Sequence, residues 1–168
     1  MKFFGLVLAC ALSVGCAASS TPSALVGKSA PATRVQLLDG DYLPLEAFRG
    51  KNVVLVFWAQ WCAKSKQLLE KIHSYQSSRE PNPDLVYLMV SIDKEEDLPK
   101  LRQRIASSNW QHFTHAFSGA AEYDEAYRGF SCSELPQVFV LNKAGLVVAN
   151  GAQFEAVELG LKALKTAD

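Results

Sequence analysis

The sequence has no net charge and is poor in cysteine and histidine. Its 168 residues include four cysteines and three histidines, and 17 basic residues balance 17 acidic ones. This balance leaves no basic stripe of the kind that binds phosphate backbones, so nucleic acid is not an expected partner. The 49% hydrophobic and 20% charged residues are typical of a globular protein. The length fits one domain.

The first 16 residues are predicted to be an export signal. Lys2 precedes an apolar run at residues 3–14. That run is too short to span a hydrocarbon core of roughly 30 Å, and it is typical of a secretory signal. Residues 17–26, rich in Ala, Ser and Thr, are predicted to be a flexible tether, and residues 27–168 a single folded domain.

Two processing routes remain open for this segment. Ordinary cleavage would fall after Ala17 or Ala18, where small residues cluster. Alternatively, "LSVGC" resembles a bacterial lipobox and would place a lipid on Cys16. Either route predicts an exported protein of the cell envelope or periplasm, and lipidation predicts attachment to a membrane.

Export reduces the number of usable thiols to two. Cys10 leaves with the signal and Cys16 is lost or lipidated, so Cys62 and Cys132 remain. Two cysteines are too few for a disulfide scaffold or a structural zinc site. Either route takes the protein to a compartment in which disulfides form and persist.

Strand and helix patterns alternate along the domain. The continuously apolar, β-branched stretch at residues 52–59 is typical of a strand buried on both faces. The alternation, followed by a hairpin, predicts an α/β fold with a central mixed sheet flanked by helices. The other predicted elements are two short strands around an Asp39-Gly40 turn, a helix starting near Cys62, a strand over 85–93, a helix containing Leu98, Leu101 and Ile105, a weaker strand over 112–117, a short helix over 120–130, a hairpin over 137–150 and a helix over 155–165.

Cys62 lies where the predicted strand ends and a helix begins. Unpaired backbone N–H groups and the helix dipole favour an anion at this position, and such surroundings activate a thiol as a nucleophile. Lys64 and Lys66 add positive charge, and Ser65 carries a hydroxyl that can donate to the sulfur. The alternative is a buried, inert cysteine. The polar residues 63–66, predicted to be exposed, argue against it.

Two stretches carry a family resemblance. "GKSAPATRVQLLDGDYLPLEAFRGKNVVLVFWAQWCAKS" (residues 27–65) resembles the opening of exported TlpA/ResA-type thiol–disulfide oxidoreductases of the thioredoxin-like superfamily. "LPQVFVLNKAGLVV" (residues 135–148) resembles their second signature. The resemblance implies a thioredoxin-like fold that uses no cofactor. The expected partners are exported proteins that contain thiols or disulfides, or small thiols.

The resemblance also assigns roles to individual residues. It implies that Cys62 is the nucleophile, that Pro136 follows a cis peptide bond and faces Cys62, and that Leu135 presents its backbone to a substrate peptide. Trp61 provides a flat apolar surface for the same peptide. Ser65 departs from the pattern, because it occupies the position of the resolving cysteine.

Three interpretations follow from Ser65. Cys62 works alone through mixed disulfides that an external thiol resolves; or Cys132, four residues before Pro136, is the resolving thiol; or the domain binds peptides without turnover. We expect Cys62 and Cys132 to lie too far apart for a bond in the resting structure.

Metal and acid–base roles are not expected from the remaining residues. His112 and His115 are three apart on a predicted strand and would point to opposite faces, and His73 lies in a helix, so the imidazoles are not expected to align. The acidic stretch "DKEED" (residues 93–97) is interpreted as a solvated first turn of a helix. Glu134 is interpreted as a surface carboxylate beside Pro136.

Overall fold

The computed structural model describes residues 24–166, so the predicted signal and Cys16 lie outside the described residues. No helix within this range is long and apolar enough to cross a bilayer. The same range forms seven strands and four α-helices, in the order β1 (Arg34–Gln36), β2 (Tyr42–Pro44), β3 (Asn52–Trp58), α1 (Ala63–Ser77), β4 (Leu85–Ser91), α2 (Leu98–Ser107), β5 (Thr114–Phe117), α3 (Glu125–Gly129), β6 (Gln137–Leu141), β7 (Val147–Gly151) and α4 (Phe154–Lys165).

Five of these strands form one mixed sheet in the order β5-β4-β3-β6-β7. Strands β4 and β5 run parallel to β3, whereas β6 is antiparallel to β3 and β7 is antiparallel to β6. Strands β1 and β2 form a separate antiparallel pair. The α/β fold with a mixed sheet flanked by helices is therefore confirmed.

Strand β3 is apolar throughout because both of its faces are covered. Val54, Val56 and Trp58 pack into one core with side chains from α1, α2 and α4. The alternate residues of β3 pack into a second core with side chains from α3 and β1. Since each buried apolar side chain contributes roughly 1.5–3 kcal/mol, this strand holds both layers in place and fixes the position of the loop that follows it.

The start of the described chain is held against the β6–β7 hairpin. Gly27 N–H donates to the Val147 carbonyl over 2.8 Å, and Ala30 N–H donates to the Gly145 carbonyl over 2.8 Å. Leu25 is half-buried against the core. Packing thus begins within the last residues of the predicted tether.

The helix predicted over residues 120–130 is divided in two. A 3₁₀ turn covers Ala121–Tyr123, and α3 begins only at Glu125. Asp124 separates them because its carboxylate accepts the Tyr127 N–H over 2.9 Å and so caps α3. A capping aspartate starts a new helix rather than continuing the preceding one.

Candidate active site around Cys62

Cys62 occupies the N-cap of α1, directly beyond the carboxyl end of β3. Its N–H donates to the Ala59 carbonyl, and its own carbonyl accepts the Lys66 N–H, each over 3.1 Å. Its side chain caps no backbone N–H of the helix. The thiol is half-buried and lies at the positive end of the helix dipole.

The peptide between Leu135 and Pro136 is cis and adjoins this thiol. The Cys62 Sγ–H points to the Leu135 carbonyl, with 3.8 Å between sulfur and oxygen. Pro136 is buried, and β6 begins at the next residue. Two residues 73 positions apart are brought together because β6 pairs with β3, the strand that precedes Cys62.

Ser65 corrects the prediction that residues 63–66 are all exposed. It is fully buried, whereas Ala63 and Lys64 are exposed and Lys66 is half-buried. Its hydroxyl oxygen has no hydrogen-bond partner among the described residues, Cys62 included. Ser65 is therefore a buried hydroxyl one turn beyond the thiol, with an unused capacity to donate.

Asp93 is a site residue that the sequence analysis missed. It is fully buried, not part of a solvated helical turn. Its carboxylate accepts the Gln60 N–H over 3.0 Å and the Ser91 hydroxyl over 2.6 Å. Burial raises the pKa of Asp93, and the bonds from Ser91 and Gln60 partly oppose that shift. Asp93 thus ties the end of β4 to the loop that leads from β3 to Cys62.

Cys132 has different surroundings. It packs against the core that contains Phe57 and Phe130, and it is not bonded to Cys62. Burial raises its pKa to about 12, with a smaller contribution from the Asp124 carboxylate. A thiol with this pKa is almost entirely protonated at neutral pH.

Two grooves meet at the Leu135 backbone. The acidic groove has a volume of about 540 Å³, contains the exposed face of Cys62 and is lined by Trp61, Ile92, Lys94, Glu96, Asp97, Ala121, Glu122, Tyr127, Ser133, Glu134 and Leu135. The basic groove has a volume of about 310 Å³ and is lined by Lys64, Gln67, Leu68, Lys71, Glu134, Leu135, Pro136, Ala152, Gln153 and Phe154. Trp61 is 61% exposed at the edge of the acidic groove. A peptide lying across Leu135 would therefore meet acidic side chains on one side and basic ones on the other.

The histidines are arranged differently from the prediction. His112 precedes β5 instead of lying on it, and His73 of α1 faces it with 3.4 Å between His73 Nδ1 and His112 Nε2. His115 lies apart from this contact, and its Nε2 bonds to the Trp110 carbonyl over 2.9 Å. The imidazoles of His73 and His112 thus face each other, and that of His115 does not take part.

A thioredoxin-like family profile matches residues 50–147, which include β3, Cys62, Ser65 and Pro136. The chain belongs to the thioredoxin-like family. No curated protein matches its sequence.

Several solved structures share the fold. The chain is similar to the C-terminal domain of a candidate thiol–disulfide oxidoreductase from Bacteroides thetaiotaomicron (TM-score 0.71, 18% identity, 85% of this chain and 97% of that one). It is also similar to a thiol–disulfide oxidoreductase from Bacteroides fragilis (0.70, 23%, 82% and 99%). A third is the thioredoxin domain of a thiol–disulfide oxidoreductase from Bacteroides vulgatus (0.63, 20%, 87% and 100%).

Proposed function

We propose that this protein is a TlpA/ResA-type member of the thioredoxin-like family that exchanges disulfides through Cys62 alone. The observation that carries the proposal is the pairing of an accessible thiol at the N-cap of α1 with a buried serine one turn later. The solved thiol–disulfide oxidoreductases with the same fold support the reaction class. The substrates are disulfides of exported proteins or of small thiols.

The reaction has two balanced steps. The Cys62 thiolate attacks one sulfur of a substrate disulfide, which forms a mixed disulfide and releases the other sulfur as a thiolate. A second thiolate, on the substrate or on a small molecule, then attacks the substrate sulfur of the mixed disulfide, forms a new disulfide with it and releases Cys62 as a thiolate. Ser65 cannot perform this second attack because a hydroxyl does not form a disulfide.

The local groups suit the first step. In our proposal the attacking sulfur uses its place at the N-cap of α1, where it meets the positive end of the helix dipole. The Leu135 carbonyl accepts a hydrogen bond from the thiol in the resting state, but it has no N–H or O–H to donate to a thiolate. The unpartnered Ser65 hydroxyl is an unused donor one turn away, and in our proposal it turns to the sulfur when Cys62 ionises.

Cys132 is a poor resolving thiol in this scheme. Its raised pKa leaves little thiolate, and it is not among the residues that line the acidic groove. An attack on a Cys62 mixed disulfide would require Cys132 to leave its contacts with the aromatic core. External resolution requires no such rearrangement.

Mapping disulfides after mild oxidation tests the proposal. The protein is oxidised with glutathione disulfide, and its peptides are identified without reduction. We expect a glutathione adduct on Cys62 that dithiothreitol removes. A dominant Cys62–Cys132 bridge would replace the single-thiol mechanism by a two-thiol one, and a Cys62 that forms no adduct would leave a peptide-binding domain without turnover.

We further propose that the protein is exported and held to a membrane through Cys16. The support is the signal-like pattern of residues 1–16 and the lipobox-like "LSVGC". A thioether-linked diacylglycerol with an added N-terminal acyl chain meets the two-signal requirement for stable attachment. Cys16→Ser is expected to move the protein from the membrane to the soluble exported fraction. An unchanged distribution, with a mature N-terminus beyond Cys16, would instead indicate ordinary signal cleavage.

A further inference from the structure

We infer that His73 and His112 form a binding site for a divalent transition-metal ion that prefers imidazole ligands, such as Cu²⁺ or Zn²⁺. The site joins the middle of α1 to the turn that precedes β5, and it is separate from the thiol site. The inference does not depend on the proposed function.

The spacing of the two facing nitrogens fits one shared ion. Zn–imidazole bonds are about 2.0–2.1 Å long, and the tetrahedral angle that Zn²⁺ prefers places two such nitrogens roughly 3.3–3.4 Å apart. The observed separation of His73 Nδ1 and His112 Nε2 is 3.4 Å. Without an ion the same contact is a long N–H···N hydrogen bond, in which the tautomers decide which ring donates, and an ion between the two nitrogens would replace that proton.

Both imidazoles are held in place by buried structure. His112 packs on Phe113 with 4.2 Å between ring centroids, and His73 meets the edge of the same ring at 6.4 Å. Phe113 is buried, and its N–H donates to the Trp110 carbonyl over 3.0 Å. Two ligands fixed before the ion arrives lose little conformational freedom on binding it, which favours binding.

The site is also open to solvent. His112 is exposed and His73 is half-buried, so an ion can reach both. Among residues 24–166 no third His, Cys, Asp or Glu completes a ligand cluster here. Water or a small ligand would fill the remaining positions. Imidazole nitrogens favour Cu²⁺ and Zn²⁺ over Mg²⁺ and Ca²⁺. The 3.4 Å spacing matches tetrahedral Zn²⁺, whereas tetragonal Cu²⁺, the ion with the higher intrinsic affinity for imidazole, would draw the two nitrogens to about 2.9 Å.

The site lies well away from Cys62. His73 is 11 positions beyond Cys62, which corresponds to roughly 16 Å along the helix. Loss of metal binding and loss of thiol exchange are therefore independent results. The ion would instead tie α1 to the α2–β5 connection and stabilise the fold by binding the folded state only.

Metal titration tests the inference. Untagged protein carrying Cys62→Ala, which removes the competing thiol, is titrated with Cu²⁺ and separately with Zn²⁺. Mg²⁺ and Ca²⁺ serve as negative probes. We expect one Cu²⁺ per chain, nitrogen hyperfine structure from two imidazoles in the electron paramagnetic resonance spectrum, and a metal-dependent rise in Tm.

Three histidine variants, each in that background, assign the site. His73→Gln and His112→Gln are each expected to weaken Cu²⁺ binding by at least about tenfold, since even second-layer partners of metal ligands contribute 10- to 100-fold. His115→Gln is the matched control and should leave the Kd unchanged. A Kd that is unaffected by both site variants, an equal loss in the control, or a spectrum with fewer than two imidazole nitrogens would overturn the inference. The spectrum of the Cys62→Ala protein alone tests for the two imidazole ligands, even if a histidine variant folds poorly.

Discussion

The loops that carry Cys62 and Cys132 present two half-buried thiols in different surroundings. Cys62 faces an open groove at the N-terminus of a 15-residue helix. Cys132 lies against an aromatic core, with the Asp124 carboxylate near enough to oppose ionisation. Degree of exposure does not separate them. The difference comes from the groups that would meet a negative sulfur, namely a helix N-terminus in one case and apolar rings with a carboxylate in the other.

The largest expected effect is the contrast in reactivity between the two thiols. At pH 7 a pKa of about 12 leaves Cys132 a thiolate fraction of about 10⁻⁵, against roughly 3% for an ordinary cysteine. Iodoacetamide labelling of the folded protein, followed by mass mapping, should therefore find Cys62 modified more than about a thousandfold faster than Cys132. Denatured protein is the control, in which both thiols should react alike.

The same labelling across a pH series tests whether Cys62 is activated. If the helix N-terminus activates Cys62, its labelling rate at neutral pH exceeds that of an unstructured cysteine peptide once both are compared at equal reagent concentration. A Cys62 that labels no faster than the peptide would remove the activated nucleophile from the proposed mechanism. Fast labelling of Cys132 would show that its loop opens from the core.

The next effect concerns the position of the missing sulfur. Ser65→Cys places a second thiol one helical turn beyond Cys62. Resolution of the mixed disulfide then becomes intramolecular, and intramolecular groups act at high effective concentrations. We expect insulin disulfide reduction to rise by about tenfold or more. Ser74→Cys, at an exposed position of the same helix, is the control and should leave the rate unchanged.

Most of the fold could be predicted because its signals are local. The apolar run of β3, the spacing of Leu68, Leu69 and Ile72, and Gly145 in the β6–β7 turn each specify their own element. Gly145 has a φ of 76°, which glycine adopts easily. Mixed pairing of the sheet followed from the order of those elements.

The candidate site was predicted less completely, for reasons that differ by residue. Ser65 stands three positions before Leu68, in phase with the buried stripe of α1, so a periodicity argument could have placed it inside. Asp93 was misplaced because it adjoins a run of charges, although its side chain turns back to Ser91. The His73–His112 contact joins residues 39 positions apart through packing alone, and no local pattern encodes it.

A smaller effect separates stability from reactivity at Ser65. Ser65→Ala removes a buried hydroxyl that lacks a partner, so the folded state should gain about 1–2 kcal/mol. If the hydroxyl serves the thiolate, the same change slows Cys62 labelling at neutral pH by about tenfold, since a hydrogen bond to a charged group contributes roughly 1.5–3 kcal/mol. Ser74→Ala is the control, because it makes the same change in helix propensity at an exposed position. It should leave the labelling rate unchanged and should lack the gain in stability that comes from removing a buried hydroxyl. Unchanged labelling in Ser65→Ala would assign the serine no role in ionisation.

The smallest expected effect is the pH dependence of stability caused by Asp93. Burial raises the pKa of Asp93 in the folded state. The folded protein therefore keeps the Asp93 carboxyl protonated at pH values at which the unfolded chain has lost that proton. The contribution of the Asp93 carboxyl to stability is therefore present below its unfolded pKa of about 3.9 and is lost as pH rises through its folded pKa.

Asp93→Asn keeps an acceptor for the Gln60 N–H but does not ionise. We expect the free energy of unfolding of the variant to increase relative to that of the parent as pH rises from about 3.5 to about 7, so the variant becomes relatively more stable. Denaturant unfolding at several pH values measures this difference, with the exposed Asp41→Asn as a control that should show no such trend. A relative stability that is flat with pH would mean that Asp93 positions the loop through its hydrogen bonds without an ionisation cost.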